Sequence, residues 1–469
     1  MSYCGYVTTL KDVRPHPNAD RLQLATVFGN TVCIGLDMHE GDTVIYFPCD
    51  GQLSLDFCLH NNLLRTLPDG NPGPGYMELE KRNVKAIRLR GEKSDGLITG
   101  LSALSYIEGV NLEDFTPGTQ ITVINGQEVC RKYIPKSNMR QSGPKTGKSK
   151  IKRKHPVAPL FQEHKDTEQL AYNLGEFKTG DEVEITLKMH GTSQRTSHTK
   201  VLTGYKRTLM DQLFRRIGTP IYDWGYISGT RRTVLENYDG GFYGSNEFRE
   251  QHAKAFEGKL WKGETVYYEV VGFTHTGAPI MAEANNKKLN DKEFVKKYGE
   301  KTVFSYGCSP DGLGKIIEYW DRECTEPMIY EKTPMSDLYV YRMTMTNEDG
   351  EVVEYTPDFM RYRCEQMGIK TVPVLWKGVI PENPASEEDP TISAGDWIKI
   401  VAERFYDGPD PIGQTHVREG VVARILNRPT FKAFKHKNFS FKVLEGIIKE
   451  VADAPDMEEA DGLNEEENE

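Results

Sequence analysis

The chain has 469 residues, of which 38% are hydrophobic and 27% charged, and a formal net charge of −10. That length exceeds one ordinary domain and predicts two folded units with separate cores. No apolar stretch approaches the ~20 residues that span a bilayer, so a membrane partner is not expected. The N-terminus, MSYCGYVTTLKDV, lacks the basic and apolar regions of a signal peptide. Eight cysteines lie scattered, with no CxxC and no Cys/His cluster at zinc spacing. Reduced thiols in a cytoplasmic protein are the expectation, not a disulfide scaffold or a zinc module.

Along the first 125 residues, the segments TVCIGL, EGDTVIYFP, NVKAIRLRG, DGLITGL and TQITVI read as short strands. Gly, Asp and Pro punctuate them at intervals suited to a small β-barrel. Residues 126–160 are rich in Ser, Gly, Pro and Lys, a linker composition. Within this region Arg131 to Lys154 holds ten Lys/Arg and no acid. Such a strip is either a solvated linker or a contact for a polyanion. Longer mixed segments follow over 161–450 and predict an α+β domain. FKVLEGIIKEVADA has helical apolar spacing at Val443, Ile447, Ile448 and Val451. From Glu450 to Glu469 there are ten acidic residues and no basic one, which accounts for the whole net charge. Residues 451–469 therefore read as an acidic disordered tail.

Four segments carry chemistry. In EVEITLKMHGTS, Val183, Ile185 and Leu187 alternate with Glu184, Thr186 and Lys188, so a strand with one apolar face delivers Lys188 to a turn at Gly191. The amides and hydroxyls of such a turn can hold a phosphate. An exposed strand lysine is the plainer explanation when this segment stands alone. In VYYEVVGF, Tyr267 and Glu269 share the face opposite Val266, Tyr268 and Val270. In HVREGVVARI, Glu419 heads an otherwise apolar strand. In FKAFKHKNF, Lys435 and Lys437 project from one side of an extended segment.

The order Lys, Glu, Glu, Lys-x-Lys resembles the covalent nucleotidyltransferase superfamily of ligases and capping enzymes. KMHG matches its lysine motif, YEVVG its third motif, REGVV its fourth and FKHKNF its fifth. SGTRRTV, with Arg231, stands where that superfamily has a short basic motif. LYVYRM resembles its segment with a purine-stacking aromatic; Tyr339 and Tyr341 share a strand face there, and Tyr341 is favoured. Within the superfamily, the chain is most similar to ATP-dependent RNA ligases with an N-terminal OB domain. The resemblance implies an ATP-grasp-like nucleotidyltransferase domain of antiparallel sheets with flanking helices, joined to an OB-fold.

It also implies the chemistry. A lysine amine with an ordinary pKa near ~10.4 is protonated and not nucleophilic. Cations clustered around Lys188 (Lys435, Lys437, a metal) would disfavour its charge, and neutrality near pH 7 needs about 4 kcal/mol of differential interaction. The amine would attack the α-phosphorus of ATP and form lysyl-AMP, with Lys435 and Lys437 neutralising the developing charge. Leu187, Lys188, Arg231, Glu269, Tyr341, Lys435 and Lys437 would bind the nucleotide. Glu269 and Glu419 would hold Mg2+ or Mn2+. AMP would pass to a 5′-phosphate, and a 3′-OH would displace it to seal RNA ends or a nick in a duplex, as in RNA repair. His190 stands where many members have aspartate, and a neutral imidazole does not replace a carboxylate beside a metal.

HPNADRLQ (His16 to Gln23) and LRGEKSDGLI (Leu89 to Ile98) resemble the tRNA-binding type of OB fold, whose sheet face binds nucleic acid. A scaffold that only packs on the catalytic domain would have the same sequence. Two other functions remain open at this stage. One is a GTP-using capping guanylyltransferase, which usually carries a C-terminal OB domain after the fifth motif; only Lys442 onward follows here. The other is a non-catalytic RNA-binding protein, which does not account for intact Lys188, Glu269, Glu419, Lys435 and Lys437. RNA is the expected partner, with no obligate protein partner.

Overall fold

The computed structural model describes residues 3–133, 155–281 and 305–442, apart from 215, 236–237, 239–245, 311, 313–315, 318–328, 331–332, 388–389, 415 and 440. The basic strip beyond Tyr133, the predicted C-terminal helix and the acidic tail lie outside the described residues. The described chain divides into two compact units. One holds the residues through Tyr133 together with Phe439, Phe441 and Lys442, and the other runs from His155 to Asn438.

The first unit contains every strand expected from its sequence, but the described strands do not close into a barrel. A four-stranded antiparallel sheet has the order Gln120–Ile121, Gly5–Thr9, Thr43–Phe47, Leu97–Gly100. Closure would pair its two outer strands, leaving no edge. Instead, Lys11–Pro15, Gln23–Val27 and Asn30–Ile34 form a separate three-stranded sheet, and Ala86–Leu89 pairs with Glu92–Asp95. Val7, Ile45, Phe47, Leu53, Phe57 and Leu104 pack its core. The two stretches of tRNA-binding resemblance lie together. His16 Nε2 is 3.0 Å from the Leu89 carbonyl, and Asn18 Nδ2 donates to the Arg90 carbonyl at 3.0 Å. Phe439 and Lys442, which the sequence grouped with the catalytic domain, belong to this unit. Lys442 Nζ pairs with Asp95 at 2.6 Å, and Phe439 packs on Ala86 and Cys49.

The second unit is α+β and is built on two sheets. The six-stranded sheet has the order Val234–Leu235, Thr219–Gly229, Thr192–Lys206, Glu264–Gly272, Ser336–Thr346, Val352–Glu354, all antiparallel. The five-stranded sheet has the order Glu168–Gln169, Lys432–Lys437, Gly420–Ile425, Glu182–Leu187, Val374–Val379; only its first pair is parallel. Helices Glu247–Lys254, Pro357–Met367 and Ala394–Glu403 cover them. The second of these starts on a Thr356 cap with proline at its first position and stops at Gly368, whose φ is +68°. Val266, Tyr268, Val270, Val340 and Met343 form the core under the larger sheet. Val183, Ile185, Val421, Ala423 and Phe434 form the one under the smaller. The chain leaves the smaller sheet at Leu187 and enters the larger at Thr192. The four residues between, Lys188 to Gly191, are the turn that joins the sheets.

Candidate active site

The alternation read in EVEITL holds. Val183, Ile185 and Leu187 are buried in the cores, while Glu184, Thr186 and Lys188 line an open cleft of about 980 Å³. The Lys188 amide donates to the Gly420 carbonyl at 3.0 Å. Gly191 is required by close approach, since a Cβ there would lie 2.4 Å from the Val270 carbonyl oxygen and 2.9 Å from Glu269 Cγ. The turn is thus pressed against the strand that carries Glu269.

Lys188 Nζ donates to Glu419 Oε1 at 2.6 Å, and Lys437 Nζ stands 3.3 Å from the same oxygen. The other carboxylate oxygen faces His190 Nδ1 at 3.5 Å. Burial by itself would raise the Glu419 pKa, but Lys188, then Lys437 and His190, hold it down at about 2. Gly420 makes this meeting possible. Its φ is +148°, and a Cβ would fall 2.1 Å from the His436 carbonyl oxygen, so only glycine brings Glu419 so near the Lys437 strand. A carboxylate that the sequence reading did not place there stands between Lys188 and Lys437.

Lys435 and Lys437 do share one side of their strand. Phe434 on the other side enters the core, and His436 stacks on Tyr406 at 5.0 Å. Lys435 lines the cleft together with Leu187, Lys188, Arg231, Glu269 and Tyr341. Glu419 and Lys437 stand behind Lys188 and are not part of that lining. Arg231 pairs with Asp166 at 3.2 Å. The buried Arg195 donates to the Arg231 carbonyl at 3.1 Å and so fixes that segment.

Tyr339 and Tyr341 do not play equal parts. The ladder between Glu264–Gly272 and Ser336–Thr346 pairs Tyr267 with Arg342 and Tyr268 with Val340, leaving Tyr341 as the extra residue of a bulge. Tyr341 faces the cleft, where its hydroxyl is 2.8 Å from Ser193 Oγ and its ring lies 5.6 Å from that of His164. Burial, then Glu269, pushes its phenol pKa far up, so it is neutral. Tyr339 instead packs in the core with Leu187, Met189 and Phe273.

The structure adds residues that the sequence reading passed over. Arg342 lies 4.4 Å over the Tyr267 ring and 4.8 Å from Phe431, and Arg424 lies 5.0 Å from Phe431. Arg361 grips Glu184 with two hydrogen bonds, at 3.0 and 2.8 Å. All of these except Tyr267 line the cleft, making one wall of alternating guanidinium and aromatic groups. Val422 and Arg424 alternate with Val421, Ala423 and Ile425, so the sequence did hold a signal for Arg424. Tyr306 is a further case. It is buried, its hydroxyl accepts the His190 N–H at 2.7 Å, and no motif marks it. Burial, then Glu419, keeps its phenol pKa well above the ordinary value.

The arrangement can accommodate a nucleotide. A half-buried lysine at the edge of a basic cleft, with aromatic and arginine walls, suits a phosphate chain and a base. The RNA ligase family model matches residues 181–444, more than half of the chain, including Lys188, Arg231, Glu269, Tyr341, Glu419, Lys435 and Lys437. The chain therefore belongs to the RNA ligase family. No curated protein matches it. Among solved structures it is similar to a Naegleria gruberi RNA ligase mutant with AMP and Mn, at 15% identity and a TM-score of 0.52, over 93% of this chain and 97% of that one. It is equally similar to the Naegleria gruberi RNA ligase with PPi, at 15% identity and a TM-score of 0.52, over 96% and 99%. A mutant of that ligase with ATP and Mn matches at 14% identity and a TM-score of 0.50, also over 96% and 99%. At such identities the likeness is one of fold.

Proposed function

We propose that this protein is an ATP-dependent RNA ligase that seals 3′-OH and 5′-phosphate ends, at nicks in RNA-containing duplexes, through an AMP carried on Lys188. The observation that carries the reading is the meeting of Lys188, Glu419 and Lys437 at the sheet-joining turn, with the Lys188 side chain opening on the cleft. The Lys188 ammonium gives up a proton to solvent, and its neutral nitrogen attacks the α-phosphorus of ATP. A P–N bond forms as the bond to pyrophosphate breaks, and the nitrogen releases a second proton to solvent. Lys435 neutralises the charge that grows on the α-phosphate, and Lys437 supports it from behind. A 5′-phosphate oxygen of RNA then attacks the lysyl-AMP and the P–N bond breaks. The 3′-OH finally attacks the 5′-phosphorus and AMP leaves. Glu419, with its pKa held near 2, is a counter-charge and not a general base. Tyr341 offers a face to the adenine and Arg231 a contact to phosphate or sugar.

Among the described residues there is no group of three or more His, Cys, Asp or Glu placed to hold a metal. The two buried carboxylates fit a Mg2+ or Mn2+ that takes the rest of its oxygens from phosphate and water. Glu269 and Glu419 would hold it, and it would supply positive charge beside the α-phosphate. His190 faces Glu419 at 3.5 Å and acts on that carboxylate. The first unit, as an OB-type module, and the strip from Arg131 to Lys154 hold RNA by its phosphates.

The test is incubation of the protein with radiolabelled ATP, GTP or NAD, followed by denaturation. Label retained from ATP alone, and located on Lys188, supports the reading. Retention from GTP alone would make the protein a guanylyltransferase. No retained label would overturn covalent catalysis.

A further inference from the structure

We infer that Tyr306 is a positioning residue for the nucleophile turn, seated there by a buried His416–Asp410 pair; the inference rests on the ligase reading above. The Tyr306 hydroxyl accepts the His190 amide at 2.7 Å. His190 is two residues from Lys188, and its ring faces Glu419. One hydroxyl therefore pins the backbone from which both the nucleophile and the neighbour of its counter-charge project.

The placement of Tyr306 is built from several sides. Its φ of +47° is a backbone region that a bulky side chain occupies only when its surroundings hold it. Gly413 comes so close that a Cβ on it would lie 2.8 Å from the Gly307 nitrogen. Asp410 fixes that approach by accepting the Ile412 and Gly413 amides at 2.9 and 2.7 Å. The His416 ring meets the Tyr306 ring edge-on, at 4.5 Å between centroids and 86° between planes. Its Nε2 lies 3.6 Å from Asp410 Oδ2, and both residues are 0% exposed.

A buried carboxylate needs hydrogen-bond donors to offset its lost hydration, and the Ile412 and Gly413 amides supply them to Asp410. The pair also joins two parts of the site. His416 lies three residues before Glu419, on the loop that delivers Glu419 to its site. The Tyr306–His416 contact thus couples the Lys188 turn to the Glu419 loop and keeps the two side chains 2.6 Å apart. Tyr306 need not touch the nucleotide to matter, because small misplacements of a reacting group cost large factors in rate.

The test is Tyr306→Phe in the full-length protein, which keeps the ring on His416 and removes the hydroxyl. Single-turnover lysyl-AMP formation is measured against ATP concentration, beside thermal unfolding. At saturating ATP the rate should fall about tenfold, with half-saturation shifted less than about twofold and the unfolding midpoint near wild type. A wild-type rate overturns the inference. So does a parallel decline of rate, half-saturation and stability, which would mean general damage. If Tyr306→Phe does not fold, Asp410→Asn replaces it, keeping an acceptor for the turn while removing the charge beside His416. Several-fold slowing at unchanged half-saturation then supports the inference, and an unchanged rate overturns it. Wild-type protein is the control. A normal wild-type adduct with a normal variant rate sinks this inference alone, whereas no wild-type adduct sinks the ligase reading and this inference with it.

Discussion

The five-stranded sheet brings Lys188, Lys435 and Lys437 to the site by regular alternation, with Gly420 opposite Lys437 in register. The six-stranded sheet presents Tyr341 and Arg342 through a bulge. The first arrangement fixes charges at short separations, and Lys188 and Lys437 there share one buried counterpart, Glu419. The second makes a wall of rings and guanidinium groups that acts by contact area. Removing a group from the charged side leaves an uncompensated ion behind. Removing a ring from the wall loses only its own contacts. The two sides should therefore respond to substitution on different scales.

The largest effect is expected at the nucleophile. Lys188→Ala should abolish covalent AMP transfer, since no other amine stands at the sheet-joining turn. Mass spectrometry that finds the adduct on another lysine would break the assignment. Next come the carboxylates. Glu419→Ala and Glu269→Ala should each slow lysyl-AMP formation by about 10²- to 10³-fold, the range for losing a preorganised electrostatic group. Wild-type rates in either variant at every point of a magnesium and manganese titration would remove that residue from the site.

The charged side also predicts a pH dependence of stability. The Glu419 pKa is depressed in the folded protein, from 4.5 to about 2. Its contribution is therefore fully present above pH 4.5 and is lost as pH falls toward 2. Down to pH 3, the stability advantage of wild type over Glu419→Gln should shrink by about 2 kcal/mol. Denaturant melts of both proteins between pH 6 and pH 3 measure this. A constant difference would mean that Glu419 is not an ionised partner of Lys188 in the folded state.

The same contrast explains what the sequence disclosed. Period-two alternation is local, so the faces of Glu182–Leu187, Glu264–Gly272 and Lys432–Lys437 could be read directly. Gly191 and Gly420 were visible as punctuation, although what they avoid is supplied by Val270 and His436, far along the chain. The bulge at Tyr341 was not visible, because it depends on how two strands register and not on either strand by itself. Arg342, opposite Tyr267 in the register, joins the cleft wall for that reason. Tyr306 reaches His190 across 116 positions of sequence, and only the folded chain joins them. Barrel closure in the first unit was likewise out of reach, since strand signals say where strands are and not which edges pair.

The bulge supplies the finest test of the comparison, because it separates two tyrosines that alternation would treat alike. Tyr341 lines the cleft and Tyr339 is 5% exposed within the adjoining core. Tyr341→Leu should weaken ATP binding by the value of one stacking partner, about 1–3 kcal/mol, or roughly 5- to 150-fold in the ATP half-saturation. Its effect on stability should be small, because the ring is replaced at a cavity edge. Tyr339→Leu should leave ATP half-saturation near wild type and instead lower stability by about 1–3 kcal/mol, through lost packing against Leu187, Met189 and Phe273. ATP titration of lysyl-AMP formation and denaturant unfolding, run on both variants, separate the two effects. A raised half-saturation in Tyr339→Leu with none in Tyr341→Leu would reverse the assignment and place the adenine against Tyr339. Equal changes in both would mean that the bulge does not divide binding from packing, and that the wall is as interdependent as the charged side opposite.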